Sequence, residues 1–150
     1  MDNGGSRVTA RYCVAMSQEN VEAFKRAVEA YNRRDIDALL EEMDPEVEWH
    51  GGIETLFEGE ARVYRGHAGV RQWVRDIDEA LADTHLEFFE IGDLGDRLVA
   101  SGRFRARGKA SGAETESPFG CLVDAKNGKA VRVLNFLDPK EALEAAGLRE

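Results

Sequence analysis

The chain has few of the residues that anchor a fold or a reaction by themselves. Its 150 residues include two cysteines, three histidines and three prolines. Cys13 and Cys121 stand far apart and form no Cys-x-x-Cys pair. The sequence therefore offers neither a disulfide framework nor a zinc-ligand spacing, and a reduced, cytoplasmic setting is expected. His50, His67 and His85 fall on three different predicted elements with no close pair among them. Metal sites usually begin from such a pair, so none is expected. No stretch approaches the roughly 20 apolar residues that cross a bilayer. Basic residues are also in short supply, 20 against 29 acidic, for a net charge of -9. Nucleic acid and anionic lipid both call for a basic face, so neither is expected as a partner.

Other signals are missing too. The first 16 residues, "MDNGGSRVTARYCVAM", contain no apolar segment of the secretory kind. They read as a disordered N-terminal lead over residues 1–16, with Met16 as an alternative start. There is no Gly-x-Ser-x-Gly elbow, no phosphate loop and no dinucleotide fingerprint. Gly66-His67-Ala68-Gly69 is glycine-rich but lacks the Lys of a phosphate cradle. No cofactor is expected.

What is present is strong patterning. A hydrophobic fraction of 43% and a charged fraction of 33% are those of a globular domain, and this length suits one domain, residues 17–150. Ser17 and Asn20 compete as N-caps for a helix carrying Val21, Phe24, Ala27, Val28 and Tyr31 at helical spacing. Asp35 caps a second helix over 35–43 that buries Ile36, Leu39, Leu40 and Met43. Asp44-Pro45 ends it, because the residue before proline is driven out of the helical region. "EVEWH" alternates as a short strand, Gly51 to Arg62 reads as a loop, and a third helix over 67–82 carries Val70, Trp73, Val74 and Ile77. Four strands follow. The last two are joined by Asn127-Gly128, a pair that accepts positive φ at both hairpin positions. Pro139 opens a short C-terminal helix. Helices followed by a run of strands predict an α+β fold with a curved, mostly antiparallel sheet of about five to six strands. Closed by three helices, such a sheet makes a cone-shaped barrel with a pocket at its open end.

Three stretches carry a resemblance: "AVEAYNRRDIDALLEEMDPEVEWHG", "VYRGHAGVRQWV" and "GDRLVASGRFRARGKASGAETESPFGCLVDAKNGKAVRVLNFLD". Over residues 17–148 the chain resembles the SnoaL-like branch of the nuclear-transport-factor-2-like superfamily. The resemblance implies the same cone, commonly as a homodimer, in a superfamily of polyketide cyclases, ketosteroid isomerases, epoxide hydrolases and binding-only proteins. A fold with so many occupations does not choose among them. The isomerase catalytic set does not carry over. Its general base falls on Trp49, its oxyanion tyrosine on Ala27, and its protonated aspartate near Gly120.

Strand parity sorts the remaining candidates, since successive side chains leave opposite faces. Trp49 shares the inner face with Val47, and His50 takes the other parity. On the last strand Asn135 shares a face with Val131 and Val133, whereas Arg132, Leu134 and Phe136 point out. Arg103, Arg105 and Arg107 belong outside, because an unpaired buried charge is costly, which turns Phe104 inward. The ligand-binding candidates are Trp49, Tyr31, Tyr64, Trp73, Phe104 and Asn135, around a small hydrophobic, partly oxygenated molecule. The catalytic candidates are His50, for its near-neutral titration, and Asp138. The leading expectation is a pocket protein without demonstrated chemistry. The alternative is a cofactor-free cyclase, isomerase or hydrolase using acid–base chemistry in the cone. Leu134 and Phe136, apolar on an outward face, point to a homodimer through the outer sheet face.

Overall fold

The structure, a computed structural model, describes residues 4–56 and 60–148, with side chains described from Gln18 onward. The elements in chain order are α1 (Gly4–Asn32), α2 (Ile36–Glu41), β1 (Met43–His50), a single 3-10 turn (Ile53–Leu56), β2 (Val63–Arg65), α3 (Gly66–Ala80), β3 (Leu81–Asp93), β4 (Arg97–Gly108), β5 (Glu114–Lys126), β6 (Lys129–Phe136) and α4 (Pro139–Ala145). The strands form one sheet in the order β2-β1-β6-β5-β4-β3. All neighbours are antiparallel except β1 and β6, which run parallel. The fold is thus the expected α+β cone, with one refinement. β2 and β3 remain as edges, so the sheet does not close on itself, and helices complete the enclosure. The disordered lead expected over residues 1–16 falls where side chains lie outside the described residues.

The local causes are those of the sequence pattern. Asp35 caps α2 by accepting the Ala38 backbone N–H at 3.1 Å, and Leu39 and Leu40 are buried beneath. α3 buries Val70, Trp73, Val74 and Ile77 along one stripe. Asn127 and Gly128 both take positive φ, 54° and 78°, as a tight hairpin matched to the right-handed sheet twist demands. Asn20, read as a possible cap, lies within α1 and donates its amide to the Gly95 carbonyl at 2.9 Å.

Three features differ from expectation. α2 stops at Glu41, and Met43, Asp44 and Pro45 already belong to β1. The register against β6 shifts between Met43 and Glu48, and this irregularity accommodates a proline that has no N–H for the ladder. β3 begins at Leu81, directly after α3. Asp83 adopts φ of 56°, the pairing with β4 skips between Ala82 and His85, and the strand survives this kink. The third difference is α4. Leu134 and Phe136 do leave the outer face, but they are half-buried there. They pack with Val99, Leu122 and Ala142 in a second, smaller core under α4. The patch that motivated a homodimer through this face is covered by the chain's own C-terminal helix.

The Arg stripe lies outside as expected. Arg103 bridges Glu87 at 3.1 Å and Glu116 at 2.7 Å, and Arg107 meets Asp83 at 2.6 Å. Such exposed pairs contribute little stability.

α4 is held chiefly by Ala142, which is fully buried. Ala142→Asp places an unpaired carboxylate in that second core. It is expected to cost about 3 kcal/mol and to release α4. Urea denaturation checks the first, and binding of a hydrophobic dye to the uncovered Leu134 and Phe136 checks the second. An unchanged midpoint with no dye binding would show that α4 contributes nothing to the fold.

Candidate functional site

The inner faces of these elements enclose a cavity of about 90 Å³. Helical spacing puts Phe24, Ala27, Val28 and Tyr31 of α1 on its wall. Strand alternation brings Phe119, Cys121 and Val123 from β5 and Val133 and Asn135 from β6. Trp49 of β1 and Trp73 of α3 meet there, ring centroids 4.8 Å apart and planes inclined by 54°. The rim carries the charge, in Glu42, Arg97 and Lys129. Each rim charge has a partner: Glu42 pairs with Arg26 at 3.0 Å, Arg97 with Asp124 at 2.9 Å, and Lys129 donates to the Glu41 carbonyl at 2.5 Å.

Few polar groups belong to the inner wall. The Tyr31 hydroxyl donates to Thr84 Oγ1 at 3.0 Å, and the Arg34 guanidinium sits 4.8 Å from the Tyr31 ring centre. Burial pushes this phenol above its usual range. Asn135 donates its amide nitrogen to the His50 carbonyl at 2.9 Å. Burial alone pushes the Cys121 thiol up to about 12, so it is a neutral, poorly nucleophilic group at neutral pH. The indole N–H of Trp49 is buried and has no acceptor, the only such side-chain atom among the described residues.

Trp49, Tyr31, Trp73 and Asn135 therefore come together on the cavity wall, and the other four candidates do not. His50 leaves the opposite face of β1. Its Nε2 lies 2.5 Å from Glu48 Oε2, and Glu48 also faces Arg65 at 3.3 Å and Arg132 at 3.7 Å. The hydrogen bond from His50 is the main reason the Glu48 carboxyl sits below its ordinary range. Asp138 is exposed at the surface, where it caps α4 by accepting the Lys140 N–H at 3.0 Å. Tyr64 is buried but donates its hydroxyl to Asp76 at 2.8 Å, away from the cavity. Burial first, then the bond to Asp76 and the nearby Glu54 charge, push its phenol well above the usual range. Phe104 faces inward and is fully buried, but it stands behind Phe119, centroids 6.5 Å apart. Parity gives the face of Phe104 and not its depth, and nothing in the sequence around Tyr64 shows that its hydroxyl turns to Asp76.

Sequence reasoning missed Glu54, in the stretch read as a polar loop. This carboxylate is fully buried. It accepts the Trp73 indole N–H at 3.2 Å and the Arg62 backbone N–H at 2.9 Å. Gly51-Gly52 supplied the available signal. A Cβ on Gly51 would stand 2.0 Å from Glu54 Oε2, and one on Gly52 would stand 2.8 Å from the Asn135 carbonyl oxygen. Both positions need glycine because something packs directly against them. In "VEWHGG", then, the Trp faces the cavity, the His faces out, and the glycines let the loop fold back over a buried carboxylate.

A bent six-stranded sheet, enclosed by helices around an aromatic cavity, defines the nuclear-transport-factor-2-like class of fold. Within it the chain belongs to the SnoaL-like domain family, whose model matches residues 24–133. An NTF2-like protein of unknown function from Burkholderia pseudomallei is similar over 84% of this chain and 95% of its own, at 25% identity and a TM-score of 0.73. TerC, crystallised with polyporic acid, is similar over 84% of this chain and 98% of its own, at 26% identity and the same TM-score of 0.73. A proposed polyketide cyclase from Xanthomonas campestris shares the fold at 20% identity and a TM-score of 0.69, over 84% of this chain and 95% of its own. No curated protein matches the chain.

The alignment with the isomerase set can now be read in three dimensions. Trp49 and Ala27 do lie on the cavity wall. Gly120 does not, since a Cβ there would meet Pro139 and Ala142 of α4 at 2.8 and 3.2 Å. Its neighbours Phe119 and Cys121 take the wall positions.

Glu54→Ala would leave the buried Trp73 indole N–H without this acceptor and a void beside the ring. The expected cost is about 2–4 kcal/mol in urea denaturation. Glu54→Gln keeps an acceptor oxygen and is expected to cost less than half as much. Equal losses for the two variants would show that the side chain acts through its volume alone.

Proposed function

We propose that this protein binds a small, largely apolar, partly oxygenated molecule in the cone, held mainly by contact area. The observation that carries this reading is the cavity wall. It is built from Phe24, Tyr31, Trp49, Trp73, Phe88 and Phe119, and among the described wall residues the only carboxylate is Glu42, at the rim and paired with Arg26. TerC, crystallised with polyporic acid, gives the same reading independent support. The volume of about 90 Å³ is below the roughly 150 Å³ that accommodates one benzene ring in an engineered core. Even a single-ring ligand therefore extends through the rim or displaces α1 side chains.

The alternative, an acid–base cyclase, isomerase or hydrolase using His50 and Asp138, gains nothing from the geometry. Neither group reaches the cavity wall, and a general acid or base must come within hydrogen-bond reach of its proton. Chemistry in this cone would have to use other residues.

The homodimer and the cytoplasmic setting belong to the same proposal. With Leu134 and Phe136 covered, the most exposed large apolar group on the outer sheet face, among the described residues, is Phe89, 61% exposed, with the Arg103 guanidinium 5.5 Å from its ring centre. A dimer through this face would place Phe89 in the contact. Sedimentation at micromolar concentration is expected to give twice the 16.7 kDa mass, and Phe89→Glu to shift it to the monomer. A wild-type monomer would refute the dimer.

Both tryptophans of the chain line the cavity, so ligand entry should alter the intrinsic fluorescence. Polyporic acid serves as the first probe. Trp49→Ala is expected to weaken its binding at least tenfold by calorimetry. The stability cost should fall below the about 3–5 kcal/mol of a fully packed aromatic, because one side of the ring already faces open space. His50→Ala should change affinity less than twofold and stability by under about 0.5 kcal/mol. Loss of binding in His50→Ala with Trp49→Ala unaffected would move the site to the outer face and end this reading.

A further inference from the structure

The helix α1 meets the rest of the protein unevenly along its length. Its last turn is fixed. Ala30 and Tyr31 are buried, and the Asn32 amide donates to the Leu86 carbonyl and accepts the Leu86 N–H, both at 2.9 Å. The Tyr31 hydroxyl adds its bond to Thr84, and Arg34, just past the helix, reaches Asp78 at 2.6 Å. By contrast, none of residues 18–29 is buried. Val21, Phe24 and Ala27 pack against the core there while only partly covered. Phe24, Ala27 and Val28 also line the cavity, so part of their apolar surface has no protein atoms opposite it. Polar contacts at the surface hold this half in place. Asn20 donates to the Gly95 carbonyl, and Arg26 donates to both carboxylate oxygens of Glu42, at 3.0 and 3.2 Å.

An open groove lies beside the same half of the helix, lined by Gln18, Glu22, Ala23, Arg26 and Gly128. Ala23 and Gly128 line the cavity as well, so groove and cavity meet between α1 and the β5–β6 hairpin. Arg26 belongs to the groove and Glu42 to the cavity, and their ion pair crosses from one to the other. The cavity, at about 90 Å³, is too small for a ring-sized molecule, which needs roughly 150 Å³. Some wall must therefore move. The strands are held by their ladders, and α3 is held by Val70, Trp73 and Ile77, all fully buried. The early half of α1 is the wall with the weakest hold.

We propose that residues 18–29 of α1 form a lid, latched by the Arg26–Glu42 ion pair, that tilts about the anchored last turn and opens the cavity toward the groove. What the lid admits rests on the pocket reading above. Opening it costs little at the latch, because both charged partners regain water. Segments with few buried contacts open ahead of the rest of a fold, and lids that control access to a site are made from such segments.

The chain's two tryptophans both line the cavity. Quenching of tryptophan fluorescence by acrylamide therefore measures entry of a small neutral molecule, with no ligand needed. Arg26→Gln and Glu42→Gln are each expected to raise the quenching rate constant about 2- to 5-fold, the change in an opening equilibrium that loss of one surface ion pair produces. The double variant should exceed neither single, because both act on one contact. Arg103→Gln, which breaks exposed pairs on the outer sheet face, should leave quenching unchanged. A short bis-methanethiosulfonate joining Arg26→Cys to Glu42→Cys, in a chain carrying Cys13→Ser and Cys121→Ala, should suppress quenching, and dithiothreitol should restore it. Equal quenching in wild type, both Gln variants and the cross-linked protein overturns the lid. An equal rise in Arg103→Gln also overturns it, since that marks general loosening. Neither result touches the pocket reading, which calorimetry with polyporic acid decides separately.

Discussion

A fully buried glutamate side chain, Glu54, is the constraint around which the site is arranged. Glu54 accepts one N–H from Trp73 and one from Arg62. These two hydrogen bonds offset part of the cost of taking its oxygens from water. The bonds also have positional consequences. One fixes the rotation of the Trp73 ring, hence the surface it presents to Trp49 and to the cavity. The other draws residue 62 back over residue 51, a closure completed by the Gly51 N–H on the Arg62 carbonyl at 2.9 Å. Val63 then follows in place to pair with His50 as the start of β2. One side chain thus ties the loop, an edge strand and the cavity wall together.

That arrangement explains which parts were legible in the sequence. The periods of 3.6 and 2 placed α1, α3 and the late strands, and parity alone separated Trp49 from His50 across one peptide bond. Asp35 and Asn127-Gly128 were legible because capping and hairpin geometry each demand a particular residue type locally. Glu54 was not legible. A glutamate in a glycine-bracketed polar stretch looks the same whether it is solvated or buried, and its burial depends on Trp73, 19 residues later. The short strand β2 was missed for the same reason, since three residues show no usable alternation and exist as a strand only because β1 is beside them. α4 was predicted as a helix, but its docking was not, because a period tells which face is apolar and not what will cover it. Leu134 and Phe136 were correctly oriented and wrongly left bare.

The outer face of the sheet is consequently two surfaces. Under α4 it is a small apolar core, with Gly120 allowing Pro139 to approach so closely that no Cβ would fit. Beyond α4 it is a lattice of exposed ion pairs around Arg103 and Arg107, with Phe89 among them. Charged side chains of this kind keep an open sheet from pairing edge to edge. They stabilise the fold little, but they hold Phe104 and Ala106 on the inner side, because a register slip of one residue would bury three arginines.

The inner face follows the opposite logic. On the resemblance, the first-strand base of the isomerases falls on Trp49, which lines the cavity wall. A Trp at this position supplies no base and adds a flat apolar surface to the wall. Its indole N–H is buried without an acceptor among the described residues. Among the described residues, the wall's polar groups include an oriented amide on Asn135 and two groups, Tyr31 and Cys121, whose pKa burial raises. Such a set can orient a neutral oxygen function and is poorly equipped to move its proton, which is why recognition is the stronger reading of this cavity.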